Sequence, residues 1–175
     1  ILYEFNTIDA EYPQDKKIIE PQQKTHTDFI PSIISMFKEE ALKFPNNAAV
    51  VFNEKIISYK ELDALTDSVA YYLKKEYDLK NEEPVGVFIT RSEKIPIAAL
   101  SIIKVGGVYL PISSEYPLSR IEYIVKDSQC RIILSDTLLQ PTIKTLNDTT
   151  IINIENIKIN PVNYHFEEIS DESGA

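Results

Sequence analysis

The chain has 175 residues, with 18 Lys and Arg against 27 Asp and Glu, and so carries a formal net charge of −9. This length suits one domain or one lobe of a larger one, and 43% hydrophobic residues can build a sizeable core, which excludes wholesale disorder. An acidic balance without a basic run argues against nucleic-acid and anionic-membrane binding. The longest apolar stretch, 95–108, is interrupted by Pro96 and Lys104 and is shorter than the roughly 20 residues that span a bilayer.

The N-terminal segment is predicted to be a linker. Up to about Thr27 it is polar and punctuated by Pro13 and Pro21. It has no basic start followed by an apolar core, so no secretory signal is predicted and a cytoplasmic location is expected. The chain does not begin with Met, which suggests an excised piece.

The first regular elements are predicted after this segment. Apolar residues recur at three- and four-residue steps over 30–44, which predicts a helix that ends at Pro45. Two short β-type runs, 48–52 and 55–58, surround Asn53-Glu54 and predict a hairpin.

Ser58 and Glu61 have the spacing of a capping box, in which two backbone amides at a helix start are satisfied reciprocally. A helix is therefore predicted from this point to about Tyr77. The apolar run 85–89, a helical pattern over 93–105 and a second apolar run, 108–112, then predict a β-α-β unit with two buried strands. The pair Gly106 and Gly107 is predicted to end the helix of this unit.

After residue 112, predicted helices and strands continue to alternate. A helix is predicted around 118–125, a strand at 131–134, a weaker helix at 138–146 that Pro141 interrupts, and a strand at 149–154. The acidic, non-periodic end, 167–175, is predicted to be a loop or frayed tail. The fold class is therefore α/β, with a mainly parallel sheet flanked by helices.

Few residues suggest chemistry by themselves. Cys130 lies between a helical pattern and a strand and is interpreted as a small buried hydrophobe. His26 and His165 are far apart and lack the spacing of metal ligands. Arg91 follows a predicted strand, where ligands gather in open α/β sheets, but an ion pair at the surface or between domains is the favoured interpretation.

No phosphate-binding glycine loop is present, and the abundant tyrosines fit packing better than base stacking. The chain's glycines are Gly86, Gly106, Gly107 and Gly174. The tyrosines in question are Tyr71, Tyr72, Tyr116 and Tyr123.

Two stretches carry a family resemblance. Residues 57–62, Ile-Ser-Tyr-Lys-Glu-Leu, resemble the first core motif of nonribosomal peptide synthetase adenylation domains, and residues 103–112, Ile-Lys-Val-Gly-Gly-Val-Tyr-Leu-Pro-Ile, resemble the second. The pattern continues through the turn 115–117 to Asp127 and Ser128. Residues 5–16 resemble the segment that joins a condensation domain to the following adenylation domain.

The sequence also departs from the family pattern. Ser113 stands where Asp is usual, so a polar contact there is expected to be altered or missing. Asp67 replaces a frequent Asn, the stretch 81–83 replaces a common Gly-Asp, and 19–29 is longer than the usual joint. The family's phosphate loop, substrate pocket and catalytic lysine have no counterpart in this chain, so no catalytic, cofactor-binding or metal-ligating residue is assigned.

The resemblance implies a linker at 1–28 and the N-terminal part of an adenylation domain at 29–175, truncated before the loop that binds the ATP phosphates. It implies a parent ligase that uses ATP and Mg²⁺ to form an aminoacyl-adenylate and loads the phosphopantetheine thiol of a carrier domain. The implied partners are the rest of the adenylation domain, an upstream condensation domain and a downstream carrier domain. The fragment alone is expected to be inactive, to bind no cofactor and to self-associate. The alternatives are a non-catalytic interaction module and part of an acyl-CoA synthetase.

Overall fold

The computed structural model describes residues 32–159, so the predictions for the leader, for His26 and His165 and for the tail lie outside the described residues. In chain order the elements are α1 (Ile33–Lys43), β1 (Ala48–Phe52), β2 (Lys55–Ser58), α2 (Tyr59–Tyr77), β3 (Pro84–Phe88), α3 (Lys94–Lys104), β4 (Val108–Pro111), α4 (Leu118–Asp127), β5 (Ile132–Ser135), α5 (Gln140–Ile143), β6 (Thr150–Asn153) and a final turn of 3-10 helix (Ile154–Asn156). Every helix and strand predicted within this range is present.

The hairpin is formed by β1 and β2, which pair in antiparallel fashion with Val51 opposite Ile56. Asn53 adopts a left-handed conformation with φ of 53°, which asparagine tolerates better than most residues. The prediction of a hairpin around Asn53-Glu54 is confirmed.

The capping box at the start of α2 is also confirmed. The Ser58 hydroxyl accepts a hydrogen bond from the Glu61 amide at 3.3 Å, and the Glu61 carboxylate accepts one from the Ser58 amide at 2.9 Å. Both bonds satisfy donors that the first turn of a helix leaves without intrahelical partners. The sequence signal therefore fixes the start of α2 to the residue.

The main sheet has the strand order β4-β3-β5-β6, and its neighbouring strands are parallel. This arrangement confirms the α/β class. The prediction that 108–112 is a buried strand is wrong in its burial: β4 lies at one side of this sheet and pairs with β3 alone among the described strands, and Val108 is 48% exposed. Its apolar composition resembles that of a central strand, but its position in the sheet is lateral.

Alternating side chains of the central strands point to two apolar layers. Val85 and Val87 on β3, with Ile132 and Leu134 on β5, face α2 and α3. Phe88 and Ile133 face the other layer, which contains Ile121 of α4 and Ile143 of α5. Because both faces are covered, the inner strands show continuous apolar runs in the sequence.

The last predicted helix is much shorter than its pattern. Instead of 138–146, α5 covers only Gln140–Ile143, and Pro141 lies in its first turn. A proline in that turn removes a donor that has no intrahelical partner, so it is tolerated there and not farther along the helix.

Each helix-to-strand connection that enters the parallel sheet contains a left-handed residue. The connection before β3 has Asp78 and Glu82, and those before β4, β5 and β6 have Gly106, Gln129 and Asp148, with φ between 48° and 76°. A left-handed residue reverses the chain just after a helix terminus. Among the described strand-to-helix connections none has such a residue.

Candidate functional site at the carboxyl edge of the sheet

The carboxyl ends of β3 and β5 are joined by Asp136. One carboxylate oxygen of Asp136 accepts hydrogen bonds from the Thr90 amide at 2.7 Å and the Thr90 hydroxyl at 2.6 Å, and the other accepts from the Leu139 amide at 2.9 Å. Burial opposes ionisation of Asp136, but these hydrogen bonds outweigh it and hold the pKa of the carboxyl below its usual value. Asp136 is therefore an ionised structural bridge.

A second carboxylate at this edge, Glu155, is equally engaged. It follows β6, pairs with the ammonium of Lys94 at the start of α3, and accepts hydrogen bonds from the amide and hydroxyl of Thr137. These contacts lower the pKa of Glu155, with the Lys94 hydrogen bond contributing most. The ends of β5 and β6 and the start of α3 are thus tied together by charge-assisted bonds.

Two groups at the edge remain without a partner in the part of the chain that the structure describes. Arg91 is exposed and makes no ion pair with any residue of 32–159, so the favoured interpretation of an ion pair finds no support there. The hydroxyl of Ser135 is fully buried and has no hydrogen-bond partner within the same range.

Asp136 and Glu155 do not fit an Mg²⁺ site. The carboxylates of Asp136 and Glu155 accept hydrogen bonds from protein donors, whereas a hydrated Mg²⁺ site needs carboxylate oxygens that are available. Within 32–159 no group of three or more His, Cys, Asp or Glu side chains could hold a metal ion. Among the described residues of the edge, Asp136 and Glu155 hold the loops that follow β5 and β6 in place.

A polar cluster that the sequence analysis missed lies between α2 and α3. The ammonium of Lys104, with only 1% of its side chain exposed, donates to Asp63 at 2.7 Å, to Thr66 at 2.7 Å and to Asp67 at 2.6 Å. Lys38 of α1 reaches the same carboxylates, at 2.9 Å from Asp63 and 3.5 Å from Asp67. We call these four charged residues, Lys38, Asp63, Asp67 and Lys104, the lysine cluster.

The lysine cluster connects the two sequence motifs. Asp63 and Asp67 follow the first motif on α2, and Lys104 belongs to the second. Burial alone would raise the pKa of Asp63, but hydrogen bonds from Lys104 and Lys38 hold it below its usual value. The available signal was the carboxylate pair at a four-residue spacing on α2, together with a lysine on the inward face of α3.

The glycine pair of the second motif has the predicted structural role. Gly106 is left-handed with φ of 76°, and a Cβ on Gly107 would lie only 3.0 Å from both Ile102 and Leu79. The last turn of α3 can therefore approach the loop after α2 closely. This agrees with the interpretation of a helix end followed by tight packing.

Other residues singled out in the sequence also find structural explanations. Cys130 is 3% exposed, burial raises the pKa of its thiol, and its sulfur accepts from the Gly86 amide at 3.2 Å, so the buried-hydrophobe interpretation holds. Tyr72 packs edge-on against Tyr77, with ring centroids 5.6 Å apart. Tyr116 and Tyr123 are 44% and 58% exposed, and the Tyr123 ring lies 5.4 Å from the Arg120 guanidinium on the same helix.

The departures from the family pattern are accommodated locally. Ser113 keeps a polar contact, since its hydroxyl accepts a hydrogen bond from the Glu115 amide at 3.2 Å. Asp67 pairs with Lys104. Glu82 takes the left-handed conformation that a glycine would adopt more easily, and Glu83 forms a forked pair with Arg131.

A shallow surface cavity of about 570 Å³ lies at the opposite, amino end of β5 and β6. Its lining includes Lys126, Arg131 and the floor residue Cys130. Ligands of open α/β sheets bind at carboxyl ends, so this cavity is on the side where the fold does not place a substrate.

Comparison with known proteins decides the family. The sequence model of the AMP-binding enzyme family matches residues 37–172. The chain belongs to the AMP-binding enzyme family. It is 37% identical over 134 residues to bacitracin synthase 3 of Bacillus licheniformis, covering 77% of this chain and 2% of that protein. It is 40% identical over 104 residues to tyrocidine synthase 1 of Brevibacillus parabrevis, covering 59% of this chain and 10% of that protein.

Solved structures of this family confirm the fold. The N-terminal subdomain of NpsA from Klebsiella oxytoca, in complex with 3-hydroxybenzoyl-AMSN, superposes with a TM-score of 0.69 at 22% identity, over 81% of this chain and 36% of that one. The nonribosomal peptide synthetase FmoA3 gives a TM-score of 0.68 at 22% identity, over 74% and 15% of the two chains. The chain thus corresponds to an N-terminal portion of a nonribosomal peptide synthetase adenylation domain and spans a small part of its relatives.

Within residues 32–159, no helix combines the length and the hydropathy needed to cross a bilayer.

Proposed function

We propose that this chain is a scaffold portion of an enzyme that activates an amino acid with Mg-ATP. In that reaction a carboxylate oxygen attacks the α-phosphorus of ATP, the bond to pyrophosphate breaks, and an aminoacyl-adenylate forms. The aminoacyl group then passes to the phosphopantetheine thiol of a carrier domain, and AMP leaves. The observation that carries the proposal is the AMP-binding match over 37–172, in a chain whose relatives include bacitracin synthase 3 and tyrocidine synthase 1.

The contribution of the described residues to that reaction is structural. The first motif caps α2, and the second ends α3 and supplies Lys104 to the lysine cluster. Asp136 and Glu155 fix the loops at the carboxyl edge, where the remaining residues of an adenylation domain would complete a substrate site.

The proposed partners are the rest of the adenylation domain, a condensation domain before it and a carrier domain after it. A solved relative, the artificially fused adenylation–PCP di-domain NpsA-ThdA, superposes with a TM-score of 0.68 at 22% identity and supports the last pairing. We place the parent enzyme in the cytoplasm, because the reaction consumes ATP.

The test is amino-acid-dependent exchange of labelled pyrophosphate into ATP. The parent protein that contains this chain is expected to catalyse exchange with one or a few amino acids, whereas the purified 175-residue chain is expected to stay at background. Exchange by the chain alone would contradict its assignment as scaffold. Failure of every amino acid with the parent would overturn the proposed reaction, and acyl-CoA formation instead would favour the acyl-CoA synthetase alternative.

A further inference from the structure

The C-terminal end of helix α1 is attached to the main parallel sheet and its covering helices, which we call the α/β body. The carbonyls of Pro45 and Asn47, in the loop that follows α1, accept hydrogen bonds from the amides of Lys60 at 2.9 Å and Tyr59 at 3.0 Å. These amides belong to the first turn of α2 and have no intrahelical acceptor. The loop 44–47 therefore anchors the end of α1 to the start of α2.

The apolar attachment of α1 is small. Ala41 is its one fully buried residue, whereas Ile33, Met36 and Leu42 are 57%, 54% and 83% exposed. Phe37 is partly buried and lies with its ring centroid 6.1 Å from that of Tyr59. An amphipathic helix normally gains its stability by burying one face, and most of the large apolar side chains of α1 do not contribute to that.

The lysine cluster supplies the missing attachment. Lys38 is the one member that α1 contributes, and it contacts both carboxylates of α2. The neighbouring Phe37 ring lies 5.3 Å from the Lys104 ammonium, within the range of a cation–π contact. Two consecutive residues of α1 thus contact the buried charges between α2 and α3.

The charges of the cluster balance only when α1 is docked. Lys104 and the two aspartates alone leave one excess negative charge in a mostly buried site, and Lys38 neutralises it. An uncompensated carboxylate in such a site is unfavourable. The position of α1 is therefore coupled to a charge that α2 and α3 cannot balance between themselves.

We propose that the lysine cluster is a latch for α1, with Lys38 as its movable member and the loop 44–47 as its hinge. Release of Lys38 lets α1 swing from the α2–α3 pair while the sheet and its other helices keep their structure. This inference does not depend on the proposed reaction.

Hydrogen–deuterium exchange of the whole 175-residue chain tests the latch. Lys38→Met keeps the length of the side chain and removes its charge, and it should accelerate amide exchange in α1 about tenfold while α2, α3 and the strands stay unchanged. Lys43→Met is the matched control, because Lys43 lies on the same helix and pairs only with exposed Glu39 in the described range. It should change exchange in α1 less than twofold.

A second variant shows whether the effect comes from charge. Asp67→Asn leaves Asp63 as the one carboxylate of the cluster, and Lys104 balances it without Lys38. Lys38→Met in the Asp67→Asn background should therefore accelerate exchange in α1 by less than threefold. Equal effects of Lys38→Met in both backgrounds would overturn the latch, as would equal exchange in the Lys38→Met and Lys43→Met proteins. Acceleration spread evenly over all elements would also overturn it, since the cluster would then stabilise the whole fold without controlling α1.

Discussion

The two helical layers that cover the sheet are held to the fold by different interactions. Between α2 and α3, Lys104, whose side chain is 1% exposed, forms ion pairs with Asp63 and Asp67. The layer of α4 and α5 is attached by side chains such as Ile121 and Ile143, and within 32–159 no ion pair involves a residue of either helix. The comparison separates packing that depends on charge balance from packing that depends on volume.

This difference shows what each layer can tolerate. An apolar layer accepts another hydrophobic side chain of similar volume, because burial is not directional. A buried charge requires its partners at fixed positions, since removal of one leaves the other uncompensated. The α2–α3 layer therefore tolerates fewer substitutions at its charged positions than the α4–α5 layer tolerates at its apolar ones.

The largest expected effect is that of removing the buried ammonium. Lys104→Met keeps most of the side-chain volume but leaves Asp67 without its nearest cation, and should lower the free energy of unfolding by about 3–5 kcal/mol. Chemical denaturation measures the loss. Lys60→Met, at an exposed lysine of α2, is the control and should change stability by less than about 0.5 kcal/mol. A loss below about 1 kcal/mol for Lys104→Met would mean that charge balance does not hold this layer together.

Truncation in the other layer should have a somewhat smaller effect with a different salt response. Ile121 is fully buried, so Ile121→Ala should cost about 3 kcal/mol through lost burial and a residual cavity. Denaturant unfolding should give the same loss of unfolding free energy at low salt and at about 0.5 M added salt, where surface charges are strongly screened. A loss that shrinks strongly with salt would contradict the volume-dependent description. Tyr123→Ala, at an exposed site on the same helix, is the control.

Acid should weaken the two layers unequally. Asp63 has a folded pKa below its unfolded value, so the unfolded state binds the proton more tightly. The stability that Asp63 contributes is present above about pH 4 and is lost as the pH falls through the lowered folded pKa. Asp63→Asn should therefore flatten the decline of unfolding free energy below pH 4, as followed by denaturant titrations. An unchanged decline would show that the shift in Asp63 has no effect on stability.

The helix cap beside the lysine cluster should contribute less. Ser58→Ala removes the acceptor of the Glu61 amide and should lower the free energy of unfolding by about 1 kcal/mol. Ser119→Ala, at an exposed serine of α4, should have little effect. If both substitutions give the same change, the capping box does not stabilise α2.

The smallest expected effect is a gain. Ser135 has a buried hydroxyl without a partner in the described range, so Ser135→Ala should raise the free energy of unfolding by up to about 1 kcal/mol. Ser101 is the matched control, because it is equally buried but donates to the Ile97 carbonyl at 2.6 Å. Ser101→Ala should give no gain in thermal melting. A loss in the Ser135→Ala protein would indicate that its hydroxyl has a partner after all.

Local patterns were enough to predict the elements, but pairing partners were not accessible from them. The capping box of Ser58 and Glu61 acts within four residues, so the sequence located the start of α2 correctly. The lateral position of β4 depends on contacts with β3 far along the chain, and its apolar residues give no sign of it. Hydrophobic periodicity predicts one helix or strand at a time and does not predict which other element it packs against.

The same limit explains the lysine cluster. In the sequence Lys104 merely interrupts an apolar stretch, and its aspartates lie 41 and 37 residues earlier. Family resemblance located the second motif but not the partners of its lysine. At the carboxyl edge, position after a strand singled out Arg91, whereas Asp136 makes the hydrogen bonds that join β3 to β5.

The left-handed residues before the four parallel strands bear on how this fold is encoded. Asp, Glu, Gln and Gly all occupy such positions, so four different residue types adopt the same left-handed backbone conformation. Residue type alone therefore does not show that these positions share a conformation. In this chain, the left-handed conformation before a parallel strand is thus determined by the place of the residue in the connection more than by its side chain.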